Sequence, residues 1–286
     1  MNTGETLAIR PAQSTDRDHV FAMIANVWEG NDYIPRVWDD WLADRAGAMF
    51  VGELDGKPVA LAKMTVIDDS EDWFEGLRVD PDYRGRGLSR ILLRHCVEYS
   101  RSRGVGVLRF ITSDQNVAMH RIGADLGFRL RYAPVWYAAS ALVGSSNVVV
   151  LSLDDLPRLM SDVQDSPLLK LTDGVYTYGW TTFTMSEKRI RQHLQQQQVV
   201  SLSQSNAWAI IEPSERGGWW IAHAEGSVAE LTQLFMALRH DAEQQPDIYI
   251  RAQLPPESHV ITALQEAGFA TGQHNAHVYE IVFEEH

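Results

Sequence analysis

The sequence predicts an α/β (α+β) chain made of two tandem domains, and three observations predict it. Strand-like and helix-like patterns alternate along most of the 286 residues. Near the middle of the first half, an alternating segment, Trp73-Phe74-Glu75-Gly76-Leu77-Arg78-Val79, runs through a turn into a helix. Late in the second half, Leu264-Gln265-Glu266-Ala267-Gly268-Phe269 parallels Gly123-Ala124-Asp125-Leu126-Gly127-Phe128, the mark of an internal duplication.

Each element follows from local pattern. Thr6–Pro11 reads as a first strand, and Asp16–Trp28 as an amphipathic helix with Val20, Phe21, Ile24, Val27 and Trp28 on one side. A loop rich in breakers, Glu29–Pro35, leads to a short helix carrying Trp38, Trp41 and Leu42. Strands at Met49–Leu54 and Val59–Ile67 are joined by the turn Asp55-Gly56-Lys57. After the central strand, Asp80-Pro81-Asp82-Tyr83 is turn chemistry, because Pro sets φ and Asp bonds back to nearby backbone. Arg84-Gly85-Arg86-Gly87 then opens a helix whose apolar face is Leu88, Ile91, Leu92, Cys96 and Tyr99. A strand at Val107–Thr112, a helix at Asn116–Leu126 and one long strand at Phe128–Ala139 close the first half.

The second half opens with a strand at Val148–Leu153 and a helix at Asp154–Val163. From Thr172 onward it echoes the first half. A capping box, Thr184-x-x-Glu187, introduces a helix at Ser186–Leu194. Strands follow at Val199–Leu202, Ala207–Ile211 and Trp219–Ala224, then a helix at Ser227–His240. A strand at Ile248–Ala252, a helix at His259–Glu266 and a last strand at His277–Phe283 complete the repeat.

Composition narrows the function. At 45% hydrophobic residues the chain can fill two cores. Its formal charge of −13, from 25 basic and 38 acidic residues, argues against general binding of nucleic acid or an anionic membrane. A single cysteine excludes an intrachain disulfide and suits a reducing compartment. The N-terminal MNTGETLAIRP has no basic region followed by an apolar segment, and no run reaches membrane-spanning length, so a soluble cytoplasmic protein is expected. His274-x-x-His277 is the closest pair among ten histidines, and without a completing ligand no metal is expected.

The glycine-rich turn carries the chemistry. Placed between a strand and a helix, it presents unpaired backbone N–H groups where phosphate binds, and Arg84 and Arg86 add charge-assisted bonds. It is no P-loop, since no Lys-Ser/Thr follows the glycines. Arg84-x-x-Gly87-x-Ser89, preceded by Val79-x-Pro81, resembles the pyrophosphate signature of the GNAT superfamily of acetyl-CoA-dependent N-acetyltransferases, with Ser89 where Gly or Ala is usual. The order of elements in the first half is that of the GNAT fold as the resemblance implies it, a mixed sheet flanked by helices.

The resemblance implies residues 1–144 as the acetyl-CoA-binding catalytic domain and 145–286 as a degenerate, non-catalytic copy without the pyrophosphate loop. In that second half only Glu225-Gly226 precedes the capping box Ser227-x-x-Glu230, and both glutamates repel a pyrophosphate. In the first half, Arg84, Gly85, Arg86, Gly87, Leu88 and Ser89 are expected to hold the pyrophosphate, with Leu77, Arg78 and Val79 along the pantetheine. Asn116, in a segment resembling the family's N-x-x-A…GF helix, either contacts the pantetheine or caps its helix. Val79 N–H is the expected oxyanion donor. Glu75, sharing strand parity with Leu77 and Val79, is either the general base or a buried partner for Arg78 or Arg109.

Gly123 stands where many family members carry the Tyr that protonates the departing thiolate, and His120, Tyr132 and Tyr137 are the neighbouring alternatives. Cys96, on an apolar helix face, reads as core, so direct transfer in a ternary complex is expected rather than an acyl-enzyme. Asp32 and Tyr33, in the loop that roofs the acceptor in this fold, are expected substrate contacts. Asn31–Pro35, Val66–Asp68, Glu75–Val79 and Thr112–Gln115 are similar to the histidine N-acetyltransferase group. This resemblance implies a free amino acid as acceptor. Another small amine or a polyamine is the alternative among enzymes, and a non-catalytic acetyl-CoA-binding sensor is the alternative outside them. Oligomeric state is not legible in the sequence.

Overall fold

Hydrogen bonding along the backbone orders the first elements as β1 (Ala8–Pro11), α1 (Arg17–Ile24), α2 (Ile34–Ala43), β2 (Ala48–Leu54), β3 (Lys57–Val66), β4 (Glu71–Val79), α3 (Leu88–Ser102) and β5 (Val107–Ser113). Next come α4 (Val117–Asp125), β6 (Arg129–Tyr132), β7 (Val135–Ser140), β8 (Val148–Val150), α5 (Leu156–Asp165), α6 (Pro167–Thr172), β9 (Val175–Tyr178) and β10 (Thr181–Thr184). The remainder is α7 (Glu187–Gln195), β11 (Val199–Leu202), β12 (Trp208–Pro213), β13 (Trp219–Glu225), α8 (Val228–Asp241), β14 (Tyr249–Leu254), α9 (Ser258–Glu266), β15 (Ala270–Thr271) and β16 (Ala276–Val282). This computed structural model describes residues 7–214, 217–242, 248–272 and 275–283.

Among these residues the strands form two seven-stranded mixed sheets, ordered β1-β2-β3-β4-β5-β16-β6 and β15-β7-β14-β13-β12-β11-β8, plus the hairpin β9–β10. The chain forms two compact units, Met1–Phe110 with Ala118–Arg129 and Glu280–His286, and Ile111–Val117 with Leu130–Tyr279. The chain passes between these units more than once. No helix among the described residues is long and apolar enough to cross a membrane.

Several expectations change. The helix expected over 16–28 ends at Ile24, and Val27–Gly30 is a 3₁₀ turn in which Trp28 (φ 46°) and Glu29 (φ 56°) adopt the left-handed conformation. Trp28 is accordingly 59% exposed rather than part of a helix face. The strand expected over 128–139 breaks at Ala133-Pro134, because proline brings no N–H to a ladder, and its two parts join different sheets. The cap of α7 is Ser186, whose Oγ accepts from Arg189 N at 3.3 Å, in place of Thr184. The last strand, expected to finish the second domain, stands between β5 and β6 in the first sheet.

In the first unit, α1 and α2 cover one sheet face, with Val20, Ile24, Ile34 and Trp38 packed on Met49, Val51 and Leu61. Helix α3 buries Leu88, Leu92, Leu93, Cys96 and Val97, and His95 and Tyr99 meet the Phe50 ring edge-on at 4.6 and 5.3 Å. Burial pushes the Cys96 thiol well above its usual range, so it is core and no nucleophile. The β2–β3 hairpin turns at Asp55 (φ 49°) and Gly56 (φ 77°), the pair of positive φ values that a two-residue turn needs. In the second unit, α8 and α9 bury Leu234, Phe235, Val260 and Leu264 against Ile221, Ile250 and Ala252. On the other face of that sheet, α5 and α7 bury Leu159, Ile190 and Leu194 against Trp208 and Ile210.

Strand β4 has two irregularities that build the site. Against β3, Arg78 pairs with Leu61 but Glu75 with Lys63, so three steps on β4 oppose two on β3. The extra residue is a bulge, with Gly76 at φ 67°. Against β5, β4 pairs in parallel only at Glu71, Asp72 and Trp73, after which no further register joins them. A Cβ on Gly76 would lie 2.6 Å from the Trp41 ring. Gly76→Ala therefore combines left-handed strain with overpacking, and is expected to cost about 2–4 kcal/mol. Urea unfolding checks this, and an unchanged midpoint would show that β4 can discard the bulge.

Candidate active site

The turn after β4 builds an anion cradle. Asp80 Oδ1 accepts from Asp82 N at 3.0 Å and Lys57 Nζ reaches Asp80 Oδ2 at 3.3 Å, which pins the start of the turn. Gly85 (φ 77°) and Gly87 (φ 81°) are both left-handed, and Gly87 is the N-cap of α3. Having no side chain, Gly87 cannot cap the helix, whose first amides stay directed outward. A Cβ at Gly85 or Gly87 would meet nothing within 4 Å, so a ligand has room to approach the backbone. Arg86 packs over the Tyr83 ring at 4.8 Å, and Arg84 Nε donates to Val79 O at 3.4 Å. Open amides at a helix N-terminus flanked by two guanidinium groups fit a pyrophosphate.

The direction of the Val79 amide follows from the ladder. Asp80 N donates to Val59 O at 2.9 Å, so Val59 and Asp80 are a hydrogen-bonded pair. The next pair, Ala60 and Val79, is then a non-hydrogen-bonded one, and Val79 N–H points away from β3. That is the edge from which β5 has parted.

The bulge changes which side chains share a face. Cross-strand partners point the same way, so Glu75 lies with Lys63, Leu61 and Arg78. The expected alignment of Glu75 with Leu77 and Val79 is lost, because it assumed unbroken alternation. Glu75 Oε1 accepts from Thr65 Oγ1 at 2.6 Å. Its expected basic partners are engaged elsewhere, Arg109 with Glu71 and Glu280 at 3.2 and 2.6 Å, and Arg78 with Asp32 at 2.7 Å. Burial pushes the Glu75 carboxyl above its ordinary range, opposed by the Thr65 hydroxyl and the charge of Lys63. Lys63 is fully buried and pairs with Asp44, while donating to Met64 O at 2.7 Å. Burial would raise the Asp44 carboxyl, but the Lys63 hydrogen bond holds it below the usual range. Sequence reasoning missed Lys63, Asp44 and Thr65. A lysine within the apolar run Val59–Val66 was the available signal.

Asp32 and Tyr33 do meet this face. Asp32 is buried, accepts from Ile34 N at 3.0 Å, and takes Arg78 Nε and Nη2 at 2.7 and 3.2 Å. Its carboxylate is thus paired with the Arg78 guanidinium. The Arg78 guanidinium lies over the Trp28 and Tyr33 rings at 4.6 and 5.5 Å. Burial first, and the Glu75 charge second, push the Tyr33 phenol up to about 12, and the Gly76 amide hydrogen-bonds to it. The phenol therefore stays protonated at neutral pH.

Other expected residues fall outside this group. Asn116 belongs to the second unit and its Nδ2 donates to Thr112 Oγ1 at 2.9 Å. Gly123 is packed under aromatic rings, and a Cβ there would sit 3.0 Å from Phe110 Cζ, which leaves no room for a tyrosine. Tyr132 and Tyr137 belong to the second unit, where the Tyr132 hydroxyl bonds to Thr177 and Tyr137 is core. His120 lies on α4. In the second unit, Ser227 N and Oγ donate to Glu230 Oε2 at 3.3 and 2.6 Å, so the start of α8 is capped by its own side chains. No group of three or more potential metal ligands occurs among the described residues, and His274 lies outside them.

The fold is a mixed sheet flanked by helices with an open anion cradle at the start of α3, and comparisons with known proteins show what it is similar to. Residues 15–128 match the acetyltransferase (GNAT) family. The chain is 39% identical over 107 residues to a histidine N-acetyltransferase of Oreochromis niloticus, covering 36% of this chain and 32% of the relative. A histidine N-acetyltransferase of Scomber australasicus is 36% identical, with the same coverage. The chain thus spans about a third of the length of these curated relatives. A GCN5-related N-acetyltransferase structure from Sphaerobacter thermophilus shares the fold over 96% of this chain and 95% of its own, at a TM-score of 0.63 and 14% identity.

The Asp32–Arg78 pair also ties the Trp28–Tyr33 segment to β4. Asp32→Ala leaves Arg78 largely buried without its carboxylate and is expected to cost about 3 kcal/mol in urea unfolding. A loss below 0.5 kcal/mol, the range of ordinary surface substitutions, would mean the pair does not anchor the segment.

Proposed function

We propose that this protein is an N-acetyltransferase that transfers the acetyl group of acetyl-CoA to the amine of a small molecule, a free amino acid such as histidine. The observation that carries this reading is Glu75. It is a mostly buried carboxylate of raised proton affinity, set beside a parting of strands and one turn before an open anion cradle. The names of the relatives support the choice of acceptor.

Acetyl-CoA, when bound, supplies the thioester carbonyl that an amine attacks and the thiolate that leaves. Arg84, Arg86 and the amides of Gly85 to Ser89 hold the pyrophosphate, with the backbone of Leu77 to Val79 along the pantetheine. Glu75 accepts the proton that the amine gives up as its nitrogen bonds to carbon. Its elevated proton affinity brings it closer to that of the amine than an exposed carboxylate would be. Val79 N–H, directed to the open edge of β4, is placed to stabilise negative charge on the carbonyl oxygen. Residues 145–286 are read as non-catalytic, since the start of α8 is occupied by Ser227 and Glu230.

Three substitutions test this reading. Gly87→Glu is expected to abolish acetyl-CoA binding in calorimetry, because the new carboxylate meets the pyrophosphate. Unchanged affinity would reject the cradle. Glu75→Gln is expected to lower turnover most at pH values where the acceptor amine is protonated, with acetyl-CoA affinity retained. Wild-type rates across pH would remove Glu75 as base. Thr65→Val deletes a hydrogen bond that favours the charged carboxylate, so the Glu75 carboxyl should rise further. The acid limb of kcat/KM should then move up by about one pH unit, and a stationary limb would assign it to another group.

A further inference from the structure

The guanidinium of Arg78 is held in a way that plain bracing of a loop does not require. Nε and Nη2 bind Asp32 at 2.7 and 3.2 Å, and Nη1 donates to Leu77 O at 3.0 Å. Those bonds use three of five N–H donors, leaving one on each terminal nitrogen. The Trp28 and Tyr33 ring centroids lie 4.6 and 5.5 Å from the guanidinium carbon, and the side chain retains 15% exposure. Its position is fixed from three sides while part of its hydrogen-bonding edge remains available.

Arg78 and Glu75 stand on the same face of β4, opposite Leu61 and Lys63. Their β3 partners are two residues apart, which separates them by roughly 7 Å along the strand. An α-amino acid carries its amine and carboxylate on one carbon, so a molecule bridging the two side chains presents its amine to Glu75 and its carboxylate to Arg78. Polyamines, decarboxylated amines and peptide N-termini lack that second group.

We infer that Arg78 is the specificity residue of the acceptor site, binding the α-carboxylate of a free amino acid while Glu75 faces its amine. Asp32 is then a positioning residue that sets the guanidinium plane, and Trp28, exposed above it, covers the bound carboxylate. The inference rests on the amine-acetylation reading and adds to it the acceptor's second handle. A guanidinium paired with one carboxylate can still bind another through its remaining edge, and such a charge-assisted contact discriminates strongly against a ligand without it.

The test compares histidine, histidinamide and histamine, three amines that share an imidazole and differ at the carboxylate. With wild-type protein and acetyl-CoA, kcat/KM for histidine is expected to exceed that for the other two by about 100-fold. Arg78→Gln should bring this ratio near one, and Arg78→Lys should restore part of it. Calorimetry with the wild-type protein provides an arm that needs no variant, and histidine should bind at least tenfold tighter than histidinamide. Equal binding or equal kcat/KM for the three amines would overturn the assignment of Arg78 while leaving amine acetylation intact. Tight, carboxylate-dependent binding without turnover of any amine would instead overturn the acetyltransferase reading and keep Arg78 as the carboxylate contact. A ratio unchanged in Arg78→Gln would overturn the assignment and leave Arg78 as a brace for the Trp28–Tyr33 segment.

Discussion

One extra residue in β4 governs the geometry of the site. With unbroken alternation Glu75 would point with Leu77 and Val79, and Arg78 would point the other way. The bulge at Gly76 sets Glu75 and Arg78 on the face covered by α1 and α2, while the Val79 amide faces the edge from which β5 departs. Only glycine satisfies both demands of the position, a φ of 67° and a Cα packed against the Trp41 ring. The same ring meets Tyr33 edge-on at 5.8 Å, so bulge, ring and phenol are adjusted to one another.

Charge on this face is arranged in pairs with one member left over. Lys63 is matched by Asp44 and Arg78 by Asp32, while Glu75 holds a neutral hydroxyl, that of Thr65. Buried pairs of this kind contribute little net stability, because desolvation offsets attraction. Stability comes instead from apolar packing such as Trp38, Leu61 and Val51. What the pairs do is fix positions. Lys63 holds the Asp44 carboxyl below its usual range, while burial raises that of Glu75.

The parts of the site that depend on neighbouring residues were legible in the sequence. The cradle is a local motif of glycines and arginines, and its glycines have the positive φ that such a turn requires. Asp32, Tyr33 and Glu75 were found by position, but their partners were not. Arg78 reaches Asp32 across 46 residues and Thr65 reaches Glu75 across a hairpin. An isolated glycine within a strand is a known sign of a bulge, and Gly76 carried that sign. Pro134 likewise marked the break between β6 and β7. The place of β16 in the first sheet has no local signature, because pairing between distant segments is not written in either of them.

The turn at Trp28 and Glu29 has a further consequence. Two successive non-glycine residues in the left-handed region raise the energy of the folded chain by about 1–3 kcal/mol each. Glycine or asparagine at Glu29 would relax the backbone and harden the fold against heat, yet would let the Trp28 indole swing away from the guanidinium it lies over, and at Trp28 it would remove the indole altogether. Heat resistance and the contact between indole and guanidinium therefore compete at these two positions, so a variant selected only for endurance would tend to lose that contact first.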